Sequence, residues 1–214
     1  MQLGKNIHKD FPIFSRKING SRLSYLDNAA TTQKPGRVLD AMRDAYERHN
    51  GNPKRGVHTL SEEATEIMEK TRGKVARFIG ANPEEIIFTK NTTESLNLLS
   101  RSLEFLLAPD LKRPLAITKM EHHSNYVPWQ QLCKRSHRRL EFIPFLPQIP
   151  LSAQNLGKLD RRKKPALLSI AHASNVLGGV NDIGSIAKYA HDEWDCPIIV
   201  DGAQSVPHMR VNVK

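Results

Sequence analysis

Four short apolar runs in this 214-residue chain each lead into polar residues able to do chemistry. Ile86–Thr89 is followed by Lys90-Asn91-Thr92-Thr93-Glu94, where a helical pattern begins. Two hydroxyls beside the free N–H groups of a helix start make an anion cradle suited to a phosphate. A threonine N-cap followed by a glutamate reads the same way. Leu115–Thr118 leads to Glu121-His122-His123-Ser124-Asn125. Two adjacent histidines could be metal ligands, general bases or stacking groups. No carboxylate or cysteine stands at a ligand spacing from them, so no metal is expected; a single imidazole lying flat on an aromatic ring fits the position. Ala166–Ile170 runs into His172-Ala173-Ser174-Asn175 and then Gly178-Gly179, which places the Asn175 amide at a tight turn. Pro197–Val200 ends in Asp201-Gly202-Ala203-Gln204. An aspartate directly after a buried strand is costly unless a cation pairs with it.

These runs need a frame that brings their ends together. Runs of four or five apolar residues suit strands covered on both faces. Leu140–Ile143 is a fifth such run. Between the runs lie helical patterns. From Ser61, apolar residues at Ala64, Ile67, Met68, Val75, Phe78 and Ile79 trace one helix face. Further helices are predicted over about Pro35–Arg48, Thr93–Leu107, after His122, and over Ile183–Trp194. Strand and helix in alternation predict an α/β fold with a mainly parallel sheet and flanking helices. Ligands bind such sheets at the carboxyl ends of the strands, where the polar stretches fall. Residues 1–60 break the rhythm, with a short strand at Leu23–Leu26 and a polar turn at Asp27–Thr32. They read as an N-terminal arm, and residues 61–214 as the main domain. Pro144–Pro165 reads as a long exposed loop.

Composition narrows the class. Hydrophobic residues make up 39% and charged residues 25%, which excludes a disordered chain. No apolar run approaches the ~20 residues of a membrane helix, and the first ten residues lack the apolar stretch of a secretory signal. Two cysteines are no disulfide framework, and the expected compartment is the cytoplasm. The formal charge of +10 raises the question of a nucleic-acid partner. Its clusters, Lys134 to Arg139 and Lys158 to Lys164, come without a recognition helix, zinc finger or aromatic RNA-binding signature. They read as solvated surface, and no nucleic-acid partner is expected.

The four strand ends together suit a flat, phosphorylated, nitrogen-containing ring. Its phosphate would sit on Thr92 and Thr93, its face under His122, and its protonated nitrogen against Asp201. Pyridoxal 5′-phosphate (PLP) is such a ring. The chain resembles the N-terminal half of a group II (SufS-type) cysteine desulfurase, in the class V aminotransferase family of PLP fold type I. The stretches that carry the resemblance are Tyr25 to Pro35, Arg55 to Ser61, Asn91 to Glu94, Glu121 to Gln130, Ser174 to Gly178 and Val200 to Gln204, in family order. The His-Thr-Leu-Ser and Val-Pro-Trp-Gln stretches point to the group II branch.

The resemblance implies an incomplete fold type I large domain and a role for each residue. Thr92 and Thr93 would hold the phosphate. His122 would stack on the ring and move protons, and is the expected catalytic residue. Asp201 would bind the pyridinium nitrogen and Gln204 the ring hydroxyl. Asn175 would contact the substrate carboxylate, with backbone near Asn28 and Ala29. The family converts L-cysteine, or selenocysteine, to alanine and leaves the sulfur on an enzyme cysteine for an acceptor protein and Fe–S cluster assembly. It acts as a homodimer.

The family's cofactor-holding lysine follows a Ser-Gly-His stretch beyond Lys214, and its nucleophilic cysteine and carboxylate-binding arginine also lie in the other half. Lys214 follows Val211-Asn212-Val213 and does not match that lysine. Cys133 falls on the helix after His122, and Cys196 at the start of a strand, away from the site. The chain alone is therefore expected to be inactive, with an unpaired sheet edge and low solubility. A catalytically dead relative serving as a binding module, or another class V enzyme such as a selenocysteine lyase or transaminase, are the alternatives. Lys54 stands where group II members often carry a histidine, and Ala108–Arg113 lacks the usual Gly-Asp turn.

Overall fold

A computed structural model describes residues 7–144, 150–156 and 164–214. Pro147, Lys158, Arg161, Arg162 and Lys163 of the expected basic loop lie outside the described residues. The chain forms two compact units, Met1–Ile86 and Ile87–Lys214.

In the first unit two short helical turns, Ile7–Asp10 and Pro12–Ser15, precede a hairpin of β1 (Lys17–Ile18) and β2 (Ser21–Arg22). Asn19 and Gly20 turn it with φ of 50° and 77°. Both central residues of such a turn need positive φ, which Asn-Gly adopts readily. The expected strand at Leu23–Leu26 does not form, and the Asn-Gly pair upstream is the signal that decides the local structure. Helix α1 spans Gly36–Arg48 and α2 spans Thr59–Ile79. His58 caps α2 by accepting from the Ser61 N–H, and Gly80 ends it in the left-handed region. The loop before α2 is held by buried Ser61, whose hydroxyl donates to the Asn52 carbonyl and accepts from the Gly56 N–H. Gly51 is required there, since a Cβ would lie 2.3 Å from the Leu60 carbonyl oxygen.

The second unit carries α3 (Thr92–Leu107), β3 (Leu115–Thr118), α4 (Val127–Arg135), β4 (Leu140–Ile143), α5 (Ala153–Leu156), β5 (Leu167–Ala171), α6 (Ile183–Trp194) and β6 (Ile198–Asp201). Its sheet has the order β4-β3-β5-β6, parallel throughout. This is the expected α/β architecture of parallel strands with flanking helices.

Both sheet faces are covered, which explains the unbroken apolar runs. On one side Ala116, Leu168 and Ile170 pack with Ile186, Ala190 and Trp194 of α6. On the other, Leu115, Ile117 and Leu167 pack with Leu96 of α3 and Trp129 and Leu132 of α4. At the amino ends of the strands two arginines tie loops together. Arg113 donates to the carbonyls of Pro165, Trp194 and Asp195, at 2.6, 2.5 and 3.1 Å. Buried Arg138 donates to those of Arg113 and Leu107.

Ile86–Thr89, expected as a strand, belongs to neither sheet among the described residues. A strand exists only where a neighbour offers a ladder, and the described edges of the parallel sheet are β4 and β6. Ile86 instead ends a short turn capped by Asn82 and Glu85, and its carbonyl accepts from the Arg72 guanidinium.

Candidate functional site at the carboxyl ends of the strands

Strand β3 ends at Thr118, and the next seven residues build one corner of the site. The Thr118 hydroxyl accepts from the Met120 N–H at 3.2 Å and donates to a carboxyl oxygen of Glu121. His122 then caps a short helical turn, His123–Asn125. The Ser124 N–H donates to His122 Nδ1 at 3.1 Å, with the Ser124 hydroxyl 2.8 Å from the same nitrogen. An Nδ1 that accepts leaves the ring proton on Nε2. The His122 ring is exposed. The His122 and His123 rings are 6.2 Å apart and tilted by 46°, so each is a separate group.

A buried polar network lies behind this turn. The Asn125 amide donates to Glu121 at 2.5 Å. Its carbonyl accepts from the Trp129 indole at 2.9 Å and from the Ser169 hydroxyl at 2.6 Å. Asn125 and Trp129 are both fully buried. Burial pushes the Glu121 carboxyl up from its ordinary value. Hydrogen bonds from Thr118, the Ala171 N–H and Asn125 oppose that shift, and the Asp201 carboxylate adds to it. Glu121 and Asp201 therefore feel each other as like charges.

Strand β6 carries Asp201, buried and opposite Ala171 of β5. The His172 N–H donates to the Asp201 backbone carbonyl at 2.9 Å, which extends the ladder one step past β5. A carboxylate oxygen of Asp201 accepts from the Ala203 N–H at 3.0 Å and so shapes the turn that follows. Gln204 is half-buried in that turn. Beyond β5, buried Asn181 holds the strand end by donating to the Ala171 carbonyl at 2.8 Å and accepting from the Leu151 N–H at 2.9 Å. Asn175 stands exposed on the turn closed by Ser174 and Gly179.

Helix α3 packs on the His123–Asn125 turn. Its N-cap is Asn91, whose side chain accepts from the Glu94 N–H at 2.9 Å, while Glu94 accepts from the Lys90 N–H at 2.5 Å. This corrects the threonine-cap alternative. Asn91 and Glu94 do the capping, so the hydroxyls of Thr92 and Thr93 are not used for it. Asn28 and Ala29 lie in the first unit, in the turn where the Asp27 carbonyl accepts from the N–H groups of Ala30 and Thr31.

The structure thus brings Thr92, Thr93, His122, Asn175, Asp201 and Gln204 onto one unit, each at the amino end of a helix or at or past the carboxyl end of a strand. The set suits a phosphorylated, cationic heteroaromatic ring: hydroxyls at a helix start, an exposed imidazole and a buried carboxylate. Roles for Glu121, Asn125, Ser169 and Asn181 were not read from the sequence. A lone serine within the buried strand Leu-Leu-Ser-Ile-Ala was the available signal, because a buried hydroxyl needs a partner.

Cys133 and Cys196 are both buried. Burial pushes each thiol up to about 11, and nearby arginines only partly oppose it. The surrounding basic residues therefore do not activate Cys133. No helix among the described residues is long and apolar enough to cross a membrane.

Residues 24–214 match the family model described as aminotransferase class-V. A probable cysteine desulfurase of Streptomyces coelicolor is 43% identical over 213 residues, covering 97% of this chain and 50% of that protein. The apo structure of cysteine desulfurase from Thermococcus onnurineus NA1 superposes with a TM-score of 0.86 at 38% identity, covering 100% of this chain and 50% of that one. A structure of SspA in complex with cysteine gives a TM-score of 0.77 at 28% identity, covering 89% and 54%. The chain spans about half the length of the curated relatives it matches.

Proposed function

The chain belongs to the class-V aminotransferase family, and on that premise we propose that it is the cofactor-binding part of a PLP-dependent cysteine desulfurase. The observation that carries this reading is the buried Asp201 carboxylate at the end of β6, on the strand beside the one whose end Glu121 joins. Such a carboxylate calls for a cationic partner. A protonated pyridine nitrogen supplies one, and Asp201 would keep it protonated.

Bound PLP supplies an electron sink for reactions at an amino acid's carbon atoms. The chain's own residues bind, orient and hold protons. Thr92 and Thr93, with the N–H groups at the start of α3, receive the phosphate. The exposed face of His122 stacks on the ring, and its Nε2 holds the movable proton. Gln204 meets the ring hydroxyl and Asn175 the substrate carboxylate. For Asn28 and Ala29 the substrate role rests on the sequence resemblance. L-cysteine is the substrate this reading favours, with a sulfur-acceptor protein and a second copy of the complete protein as partners. The likeness to a cysteine desulfurase, and to SspA in complex with cysteine, supports that choice.

Titration of the chain with PLP, followed by absorbance and tryptophan fluorescence, tests the cofactor reading. Saturable binding that falls at least about tenfold in Asp201→Ala is expected, as for loss of a charged partner. Absence of binding, or binding indifferent to both Asp201→Ala and His122→Ala, would overturn it.

A further inference from the structure

We propose that Glu121 is a positioning residue: its side chain, joined to that of Asn125, closes the turn that holds His122 and ties it to the strand end opposite Asp201. The proposal rests on the cofactor reading above for its purpose, and on hydrogen bonds alone for its mechanics.

Glu121 and Asn125 bracket the three residues His122, His123 and Ser124. The bond between the two side chains, at 2.5 Å, spans that turn. Inside it the Ser124 N–H meets His122 Nδ1. The geometry that assigns the His122 proton to Nε2 therefore depends on a turn whose ends Glu121 and Asn125 clamp. The clamp is anchored on three elements: Thr118 at the end of β3, the Ala171 N–H at the end of β5, and, through Asn125, Trp129 of α4 and Ser169 of β5. Ala171 is the register partner of Asp201. One side chain thus links the backbone that carries the imidazole to the backbone facing the carboxylate.

The same arrangement says how Glu121 acts. The carboxyl is shielded from water and lies near the Asp201 charge, and burial is the larger cause that pushes its pKa up. Its oxygens accept from the Thr118 hydroxyl, the Asn125 amide and the Ala171 N–H. Glu121 then acts through shape and hydrogen bonds, and a glutamine, whose side-chain carbonyl accepts and whose amide can donate to the Thr118 oxygen, should serve in its place.

The test uses the 214-residue chain with ¹⁵N-labelled histidine. Two-bond ¹H–¹⁵N correlations read the His122 tautomer without cofactor, and PLP titration reads the site. In the parent chain His122 is expected in the Nε2–H form. Glu121→Ala should shift His122 toward a tautomer mixture and weaken PLP binding about tenfold, the scale for a partner standing behind a site ligand. Glu121→Gln should restore both readouts to within about threefold of the parent. An unchanged His122 spectrum in a folded Glu121→Ala chain would overturn the proposal, as would a Gln variant that behaves like the Ala one. If Glu121→Ala does not fold, Thr118→Val takes its place: a His122 shift in the same direction supports the proposal and an unchanged spectrum overturns it. Failure of the parent chain to bind PLP overturns the cofactor reading, while the tautomer measurement still decides the role of Glu121.

Discussion

The Trp129 indole N–H donates to the Asn125 side-chain carbonyl at 2.9 Å, and both residues are fully buried one helical turn apart. The same carbonyl takes the Ser169 hydroxyl from β5. A single amide therefore satisfies a donor on α4 and a donor on the sheet, and donates its own N–H to Glu121.

Asn125→Ala should strand these groups. The buried Trp129 N–H and Ser169 hydroxyl would both lose their carbonyl acceptor. Unsatisfied buried donors cost about 1–3 kcal/mol each, so a loss of about 2–6 kcal/mol is expected for the two. Urea unfolding checks it, and a variant within about 0.5 kcal/mol of the parent would refute it.

The pH dependence of stability should report Glu121. Its pKa is raised in the folded chain above the ordinary 4.5. The folded state then holds the proton more tightly than the unfolded state. That stability is complete below the ordinary value and is lost as the pH rises through the folded value. Glu121→Gln does not titrate. The Tm of the Gln variant relative to the parent should therefore climb as the pH is raised above 4.5. A flat or falling difference contradicts the assignment.

Neither cysteine should behave as a reactive thiol. Both are buried with pKa pushed up to about 11, so at pH 8 the thiolate is scarce and shielded. Ellman's reagent should label the native chain slowly and two thiols at once in denaturant. Rapid native labelling of Cys133 would contradict the structure.

Arg138 should be irreplaceable by lysine. Its buried guanidinium serves the Leu107 and Arg113 carbonyls at once, and a planar fork can do this where a single ammonium cannot. Arg138→Ala is expected to cost about 2–4 kcal/mol by leaving two carbonyls unpaired, and Arg138→Lys to recover less than half of that. Equal stability of the Lys variant and the parent would count against the bidentate role.

The core of the second unit was readable because its determinants are local. Leu115–Thr118 and Leu140–Ile143 form strands over the expected residues, and Ile183–Trp194 the expected helix. Strands β5 and β6 start one residue later than the apolar runs. The parallel ladder draws Ala171 and Asp201 in as a registered pair, which places Asp201 inside the sheet rather than after it. That shift helps to bury the carboxylate.

Local pattern also marked the polar strand ends as the place for chemistry, because side-chain type and spacing depend on nearest neighbours along the chain. What surrounds each residue depends on distant ones. Ile86–Thr89 has the composition of a strand but joins no described sheet, since a ladder requires a partner that composition does not specify. Asn91 rather than threonine caps α3, because the cap follows the backbone angle at which the helix starts. Cys133 lies among basic residues in sequence, yet burial sets its pKa. The buried network of Glu121, Asn125, Trp129 and Ser169 closes only when β5 comes to lie beside β3, bringing together residues 44 positions apart. Tertiary packing, by removing water from those groups, is what makes each of their hydrogen bonds matter.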